Sequence, residues 1–232
     1  MNDSQLNCTM PQSECTFCDQ FRDHKNNGVG GSVFGQTFNR ILWDDGSFVV
    51  VSALGALVEG WLLIVPREHF LSIANLPSNL RCRFLHLKNT VALILKETYS
   101  VDPIFFEHGS FSNELPGGAC IVHAHLHAVP TSINLMPDLM NQLKPRPIKS
   151  IEALWETPPN KAYVYFEHPE KIPTIAEVNV YLPCQYLRRL IANRLGVPEQ
   201  WNWRSNFQKT RIMNANSKLK NKFKAATDHR NL

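Results

Sequence analysis

Between Phe38 and Pro66 the apolar residues fall into three short runs, FNRILW, SFVVVSAL and GWLLIVP. The first two are separated by DDG at Asp44–Gly46. Short apolar runs bounded by turn residues predict strands, and DDG predicts a hairpin turn, so this region reads as an antiparallel meander. After REHFLSIANLPSNL the period changes. Phe84, Leu87, Val91, Ile94 and Leu95 recur at helical spacing, with Pro77 near the start, which predicts one long amphipathic helix over Leu80–Tyr99. DPIFFEHG and ACIVHAHLHAVP then return to strand character. Together these elements predict an α+β unit, a sheet with a helix on one face.

Past Pro130 the pattern is broken by Pro137, Pro145, Pro147, Pro158 and Pro159. A hairpin is expected from KAYVYFEH and AEVNVYLP, and CQYLRRLIANRLG reads as a helix closed by Gly196. The predicted organisation is a disordered start over residues 1–12, a first unit over 13–130, and an α/β C-terminal extension over 131–232 packed on that unit. No internal repeat is present.

At 232 residues and 44% hydrophobic the chain can bury a sizeable core. Its longest apolar-looking run, Phe48–Val58, is far short of the ~20 residues of a membrane helix, so no membrane span is expected. The first fifteen residues have neither the basic nor the apolar region of a secretory signal, and a cytoplasmic location is the expectation. In that compartment the six cysteines are expected to be free, catalytic or metal-binding; Cys8, Cys82, Cys120 and Cys184 stand alone and read as small hydrophobes or surface thiols. The net charge of +4 belongs to the tail, since residues 201–226 carry seven Lys or Arg and no acid. A tail mixing aromatic and basic residues would either grip a nucleic-acid backbone or lie as a solvated cationic end.

The chemistry concentrates in GGACIVHAHLHAVP, Gly117–Pro130, where three of the nine histidines take alternate positions, His123, His125 and His127. On a strand they share one face, with Ala124, Leu126 and Ala128 on the other. A neutral imidazole is a competent nucleophile toward phosphorus or carbonyl carbon near neutral pH, provided its second nitrogen is held as a donor. A neighbouring carbonyl can hold it, and a flanking histidine can bind substrate or protonate a leaving group. Gly117 and Gly118 let the backbone approach a ligand, where successive N–H groups can form an anion nest. A nucleophile beside an anion cradle points to phosphoryl chemistry. The other readings are a merely solvated histidine strand or a pure metal site. CTFC, Cys15–Cys18, offers two thiolates at the spacing that clasps a tetrahedral zinc, or else a redox pair, for which the surrounding βαβ unit is missing.

HAHLHAV matches the His-x-His-x-His-x-x pattern of the histidine triad (HIT) superfamily, and GWLLIVPREHFLSIANL resembles the strand, Pro-Lys/Arg-x-His and helix entry upstream of that triad. The resemblance spans roughly residues 15–130. It implies a HIT-like antiparallel sheet with a long helix packed on it, and a nucleotide hydrolase or nucleotidyltransferase working through a covalent nucleotidyl-histidine. The implied substrates are dinucleoside polyphosphates, nucleoside phosphoramidates or acyl-nucleotides. By this resemblance His125 is the nucleophile, His127 contacts the phosphate, and His123 lies behind the nucleophile. The backbone of Gly117, Gly118, Ala119 and Cys120 matches the loop that holds the α-phosphate. FFEHGS matches the strand before it and brings in Glu107 and His108 as substrate-side residues, although the family more often has an amide or acid where His108 stands. CTFC resembles the Cys-x-x-Cys of the zinc-bearing branch, whose ligands here would be Cys15, Cys18, His69 and His123; the zinc would be structural, and no catalytic metal is expected.

One departure concerns the nucleoside. Many HIT hydrolases hold the ribose with an acid where this chain reads VVVSALGALVEG, and near Ala53 the position is apolar. Recognition through Glu59 or the extension, or a different phosphorylated substrate, is the alternative. Small HIT proteins are commonly homodimers, so a homodimer is expected unless the extension caps or replaces that interface. Two further readings remain: a non-catalytic nucleotide sensor, and a deadenylating enzyme that processes nucleic-acid ends with the basic tail as its grip. GVGGSVFG lacks the register of a phosphate-binding loop and reads as a flexible connection. Trp155, Trp201 and Trp203 are expected to pack the extension.

Overall fold

The computed structural model describes residues 15–27, 39–112 and 121–228. Gly117, Gly118, Ala119 and Cys120, the expected disordered start 1–12 and the connection 28–35 lie outside the described residues.

The chain runs α1 (Thr16–Asn27), β1 (Ile41–Asp44), β2 (Phe48–Ser52), β3 (Leu62–Pro66), α2 (Ser78–Tyr99), β4 (Pro103–Gly109) and β5 (Leu126–Pro130). It continues through α3 (Met136–Gln142), β6 (Arg146–Pro147), α4 (Ala153–Glu156), β7 (Tyr163–Glu167), β8 (Thr174–Glu177), α5 (Tyr186–Arg194) and α6 (Lys209–Asp228). The strands form one antiparallel sheet in the order β1-β2-β3-β5-β4-β7-β8-β6. The architecture is α+β, as the apolar runs predicted. Gly46, at φ +84°, makes the DDG turn.

Alternate residues of the central strands enter two different cores. Val49, Val51, Leu63, Val65 and Phe106 face one side. Phe48, Val50, Leu62, Ile64, Phe105 and Leu126 face the other. A strand buried on both faces has no polar face to alternate with, which is why these segments read as unbroken apolar runs. Helix α2 covers the second face with the five residues its periodicity singled out. The first face, which the sequence left uncovered, is roofed by Phe17 and Phe21 of α1, Leu139 of α3, Tyr186, Leu187 and Ile191 of α5, and Trp203.

The residues after Pro130 also lengthen the sheet. β7 pairs with β4 from Phe105↔Glu167 to Gly109↔Tyr163. β4 therefore has a neighbour on each edge and offers none to a second chain. The basic tail is an ordered helix, not a solvated end: Ile212, Ala215, Leu219 and Phe223 of α6 are buried. Its apolar positions recur three, four and four residues apart, the spacing of one helix face, with lysines and asparagines on the other. Arg211 donates to the carbonyls of Ala56 and Leu57, and Lys218 pairs with Glu59 at 2.7 Å, so part of the tail's charge ties the helix to the loop between β2 and β3. Among the described residues no helix is long and apolar enough to cross a membrane. Cys184, expected as an isolated thiol, is disulfide-bonded.

Candidate active site and metal cluster

His127 lies on β5, opposite Leu63 of β3 and Phe106 of β4. β5 starts only at Leu126, so His123 and His125 precede the strand. Ala124 N is taken by the Phe70 carbonyl at 2.7 Å instead of by a neighbouring strand. The three rings nevertheless stay on one side of the chain. His125 and His127 have centroids 4.9 Å apart, and Phe17 of α1 touches both His123 and His125 at 5.5 and 5.6 Å.

Each imidazole has one nitrogen committed, and the partner decides which. His123 Nε2 meets the Pro66 carbonyl at 2.8 Å. A carbonyl only accepts, so Nε2–H donates and the lone pair sits on Nδ1. That nitrogen points at the thiols, 3.2 Å from Cys15 Sγ and 3.6 Å from Cys18 Sγ. His125 donates Nδ1–H to the His123 carbonyl at 2.6 Å, leaving its Nε2 lone pair free. His127 is the reverse: the Trp61 indole N–H donates to its Nδ1 at 2.9 Å, so a neutral His127 carries its proton on Nε2. Its ring is clamped against Phe106, centroids 4.3 Å apart and nearly parallel. The three histidines thus present a metal-type lone pair, a nucleophilic lone pair and a hydrogen-bond donor.

Burial keeps the rings neutral. Desolvation lowers His125, and the hydrogen bond to the His123 carbonyl only partly opposes it. His127 is held well below its ordinary value by desolvation and then by the charges of His125, Arg188 and His108. Desolvation also lowers His69.

Cys15, Cys18, His69 and His123 come together as one cluster, their donor atoms all within 4.8 Å of one another. His69 Nδ1 is 3.5 Å from Cys18 Sγ. Two thiolates and two imidazoles at the corners of a small tetrahedron suit zinc, and with four protein ligands the site is closed, as in structural zinc sites. The cluster fits a structural zinc. It would pin α1, whose Thr16 and Phe17 line the pocket in front of His125, to the back of the triad.

That pocket is walled by Ala53, Leu54, Leu63, Phe106 and Leu187, with His108, His125 and His127 at its reactive end. Four polar or aromatic residues that the sequence did not single out for the site also line it: Arg40, Gln185, Arg188 and Trp203. Three of them belong to the extension. Gly55 is what lets the extension in: at φ +65°, a Cβ there would lie 2.6 Å from the Trp203 Cβ and 2.7 Å from the Asn206 carbonyl. A signal for Arg188 was present, because in YLRRLIAN it falls on the apolar stripe of Leu187, Ile191 and Ala192.

His108 lines the pocket, whereas Glu107, its neighbour on β4, points to the opposite side of the sheet. Glu107 is fully buried, accepts a hydrogen bond from Ile73 N at 2.8 Å and another from the Tyr163 hydroxyl, and joins no ligand surface. Strand alternation makes this unavoidable once Phe106 and His108 share the pocket side. Glu59 is likewise spent on Lys218. Trp155 donates to the Ile73 carbonyl at 2.8 Å, and Arg189 stacks on Trp201 at 3.4 Å.

No family model matches this chain, and no curated protein does. Among solved structures it is similar to a hypothetical histidine triad nucleotide-binding protein from Sulfolobus tokodaii, at 20% identity, covering 50% of this chain and 68% of that one, with a TM-score of 0.38. It is also similar to a Zn-bound histidine triad family protein from Mycobacterium smegmatis, at 16% identity, 50% and 74% coverage and a TM-score of 0.36. A third is a HIT family hydrolase from Clostridium thermocellum, at 16% identity, 53% and 93% coverage and a TM-score of 0.36. These likenesses lend nothing to the chemistry, which rests on the residues themselves.

Proposed function

We propose that this protein is a HIT-type nucleotide hydrolase or nucleotidyltransferase that cleaves a bond at an α-phosphorus through a covalent nucleotidyl-His125. The substrates that suit this reading are dinucleoside polyphosphates, nucleoside phosphoramidates and acyl-nucleotides. The observation that carries it is the 2.6 Å hydrogen bond from His125 Nδ1 to the His123 carbonyl, which leaves Nε2 as an unprotonated nucleophile at the pocket surface.

In this reading His125 Nε2 attacks phosphorus and the bond to the leaving oxygen or nitrogen breaks, with the electron pair going to that atom. His127 gives its Nε2–H as a hydrogen bond to the phosphoryl group and the departing atom without losing the proton, and solvent supplies any proton the leaving group takes up. Water or another acceptor then attacks the nucleotidyl-histidine, the phosphorus–nitrogen bond breaks with its electron pair returning to His125 Nε2, and the acceptor's proton passes to solvent. Zinc would supply rigidity: held by Cys15, Cys18, His69 and His123, it would keep α1 against the triad.

Intact-protein mass spectrometry after brief acid quenching, with nucleoside phosphoramidates and dinucleoside polyphosphates offered to wild type and to His125→Asn, tests the reading. A nucleotide-sized adduct on wild type alone is the expected result. An adduct on both proteins, or near-normal turnover by His125→Asn, would sink the mechanism.

A further inference from the structure

Two arginines are buried in the pocket wall with no carboxylate beside them. Arg188 comes from α5 and Arg40 from the residue before β1, at 6% and 4% exposure. Arg188 gives Nε to the Trp201 carbonyl at 3.0 Å and Nη2 to the Gly55 carbonyl at 2.6 Å. Arg40 gives Nη1 to the Ser52 carbonyl at 2.6 Å and Nη2 to Gln20 Oε1 at 2.8 Å. All four acceptors are neutral, and a guanidinium has five N–H groups to place. Each arginine therefore keeps donors that no protein oxygen among the described residues accepts.

Lys88, the other buried cation among the described residues, is neutralised by Glu167 at 2.8 Å. Arg40 and Arg188 pair with no acid among the described residues. A desolvated charge without a counter-charge is expensive, and a fold retains one where a ligand completes it. Burial lowers Arg188 to about 9 and Arg40 to about 10, which still leaves both charged at neutral pH.

Their position relates them to the triad. Arg188 stands over the Trp61 ring at 4.7 Å, and the same indole donates to His127. Ala53, Leu54 and Leu63 around them are apolar, so an oxyanion entering there meets two cations in a poorly screened setting. The planar fork of an arginine suits the paired oxygens of a phosphate or carboxylate.

We propose that Arg188, with Arg40 on the same wall, forms an anion subsite beside the triad that takes a phosphate or carboxylate of the substrate other than the phosphoryl group attacked by His125. The substrate class is then a nucleotide carrying a second anionic group. What that anion is attached to rests on the nucleotidyl-transfer reading; the subsite does not.

Anomalous diffraction from tungstate-soaked crystals, with calorimetric titration of tungstate in solution, tests this on wild type, Arg188→Met and Arg188→Lys. Wild type should show two anions, one at His125 and His127 and one at Arg188. Arg188→Met keeps the long stem over Trp61 and should lose only the second anion, with its affinity falling at least about tenfold. Arg188→Lys keeps the charge without the fork and should bind the second anion with a smaller loss. Competition separates the two sources: phosphate displacing the second tungstate at lower concentration than acetate assigns a phosphate, and the reverse order a carboxylate. A single anion at the triad in wild type overturns the proposal, whatever the variants do. So does a second anion that persists unchanged in Arg188→Met, or a loss of both anions together in a folded Arg188→Met, which would make Arg188 a ligand of the attacked phosphoryl group. An anion at Arg188 with none at the triad would instead strike the nucleotidyl-transfer reading and leave the subsite standing.

Discussion

His123 and His127 are the same residue four positions apart, and they end in opposite chemical states. His123 spends its N–H on the Pro66 carbonyl and turns a lone pair toward two thiols. His127 spends its lone pair on the Trp61 indole and keeps its N–H for the pocket. The motif supplies the rings and their common side, and segments sixty residues away decide which nitrogen of each flanking ring is free. His125 differs from both, since its partner is the carbonyl of His123, inside the motif itself. The nucleophile's tautomer is thus local, and the roles of its neighbours are tertiary.

The largest effect expected from breaking this arrangement is at the centre. In His125→Asn, kcat should fall by about four orders of magnitude while the fold and bound nucleotide remain. Retained turnover in steady-state assays would reject the division of roles among the three rings. Next is the His123 end. Chelation, or Cys15→Ser with Cys18→Ser, should remove one zinc per chain by elemental analysis and lower stability by at least about 3 kcal/mol in urea unfolding. A protein free of zinc as purified, and indifferent to chelator, would remove the contrast between the two ends.

The His127 end should respond more gently. Trp61→Phe keeps an aromatic ring against Phe106 but deletes the donor to His127 Nδ1, so either tautomer becomes available. We expect kcat to drop about 10- to 100-fold with KM within about threefold. An equal loss in both parameters would mean that Trp61 serves binding rather than the tautomer.

The last effect is on stability alone and is spread over several pH units, at the residue behind His127's strand partner. Glu107 is pushed up to about 8, first by burial, against the lowering pull of its hydrogen bonds from Tyr163 and Ile73. Its folded form therefore holds a proton that the unfolded carboxyl gives up near pH 4.5. Stability from this group is greatest at low pH and declines as pH rises toward about 8, by at most roughly 1.4 kcal/mol per unit, and is level above that. Glu107→Gln can keep both hydrogen bonds and should flatten this slope in urea titrations run at several pH values. An unchanged slope would assign the pH dependence elsewhere.

Much of the frame was legible from the chain. The apolar runs of β2, β3 and β4 and the five buried positions of α2 were visible because those elements are amphipathic or doubly buried over several consecutive turns or residues. The cluster of Cys15, Cys18, His69 and His123 was named through a resemblance, and its donor atoms do converge. α6 was missed although Ile212, Ala215, Leu219 and Phe223 recur three, four and four residues apart, because the tail was read by its charge and not by its period. The resemblance of FFEHGS brings Glu107 to the site together with His108, although alternation sends neighbouring strand residues to opposite faces.

The sequence by itself therefore determined what depends on near neighbours: the two periodicities, the turn at Gly46, three rings on one side and the tautomer of His125. The tertiary structure decided what depends on segments meeting. β7 closes the edge of β4. α5 and Trp203 roof the face that bears the triad, and Arg188 enters the pocket without a counter-charge. The reason is that hydrogen-bond direction and desolvation are properties of a surrounding, and the surrounding of this site is assembled from both halves of the chain.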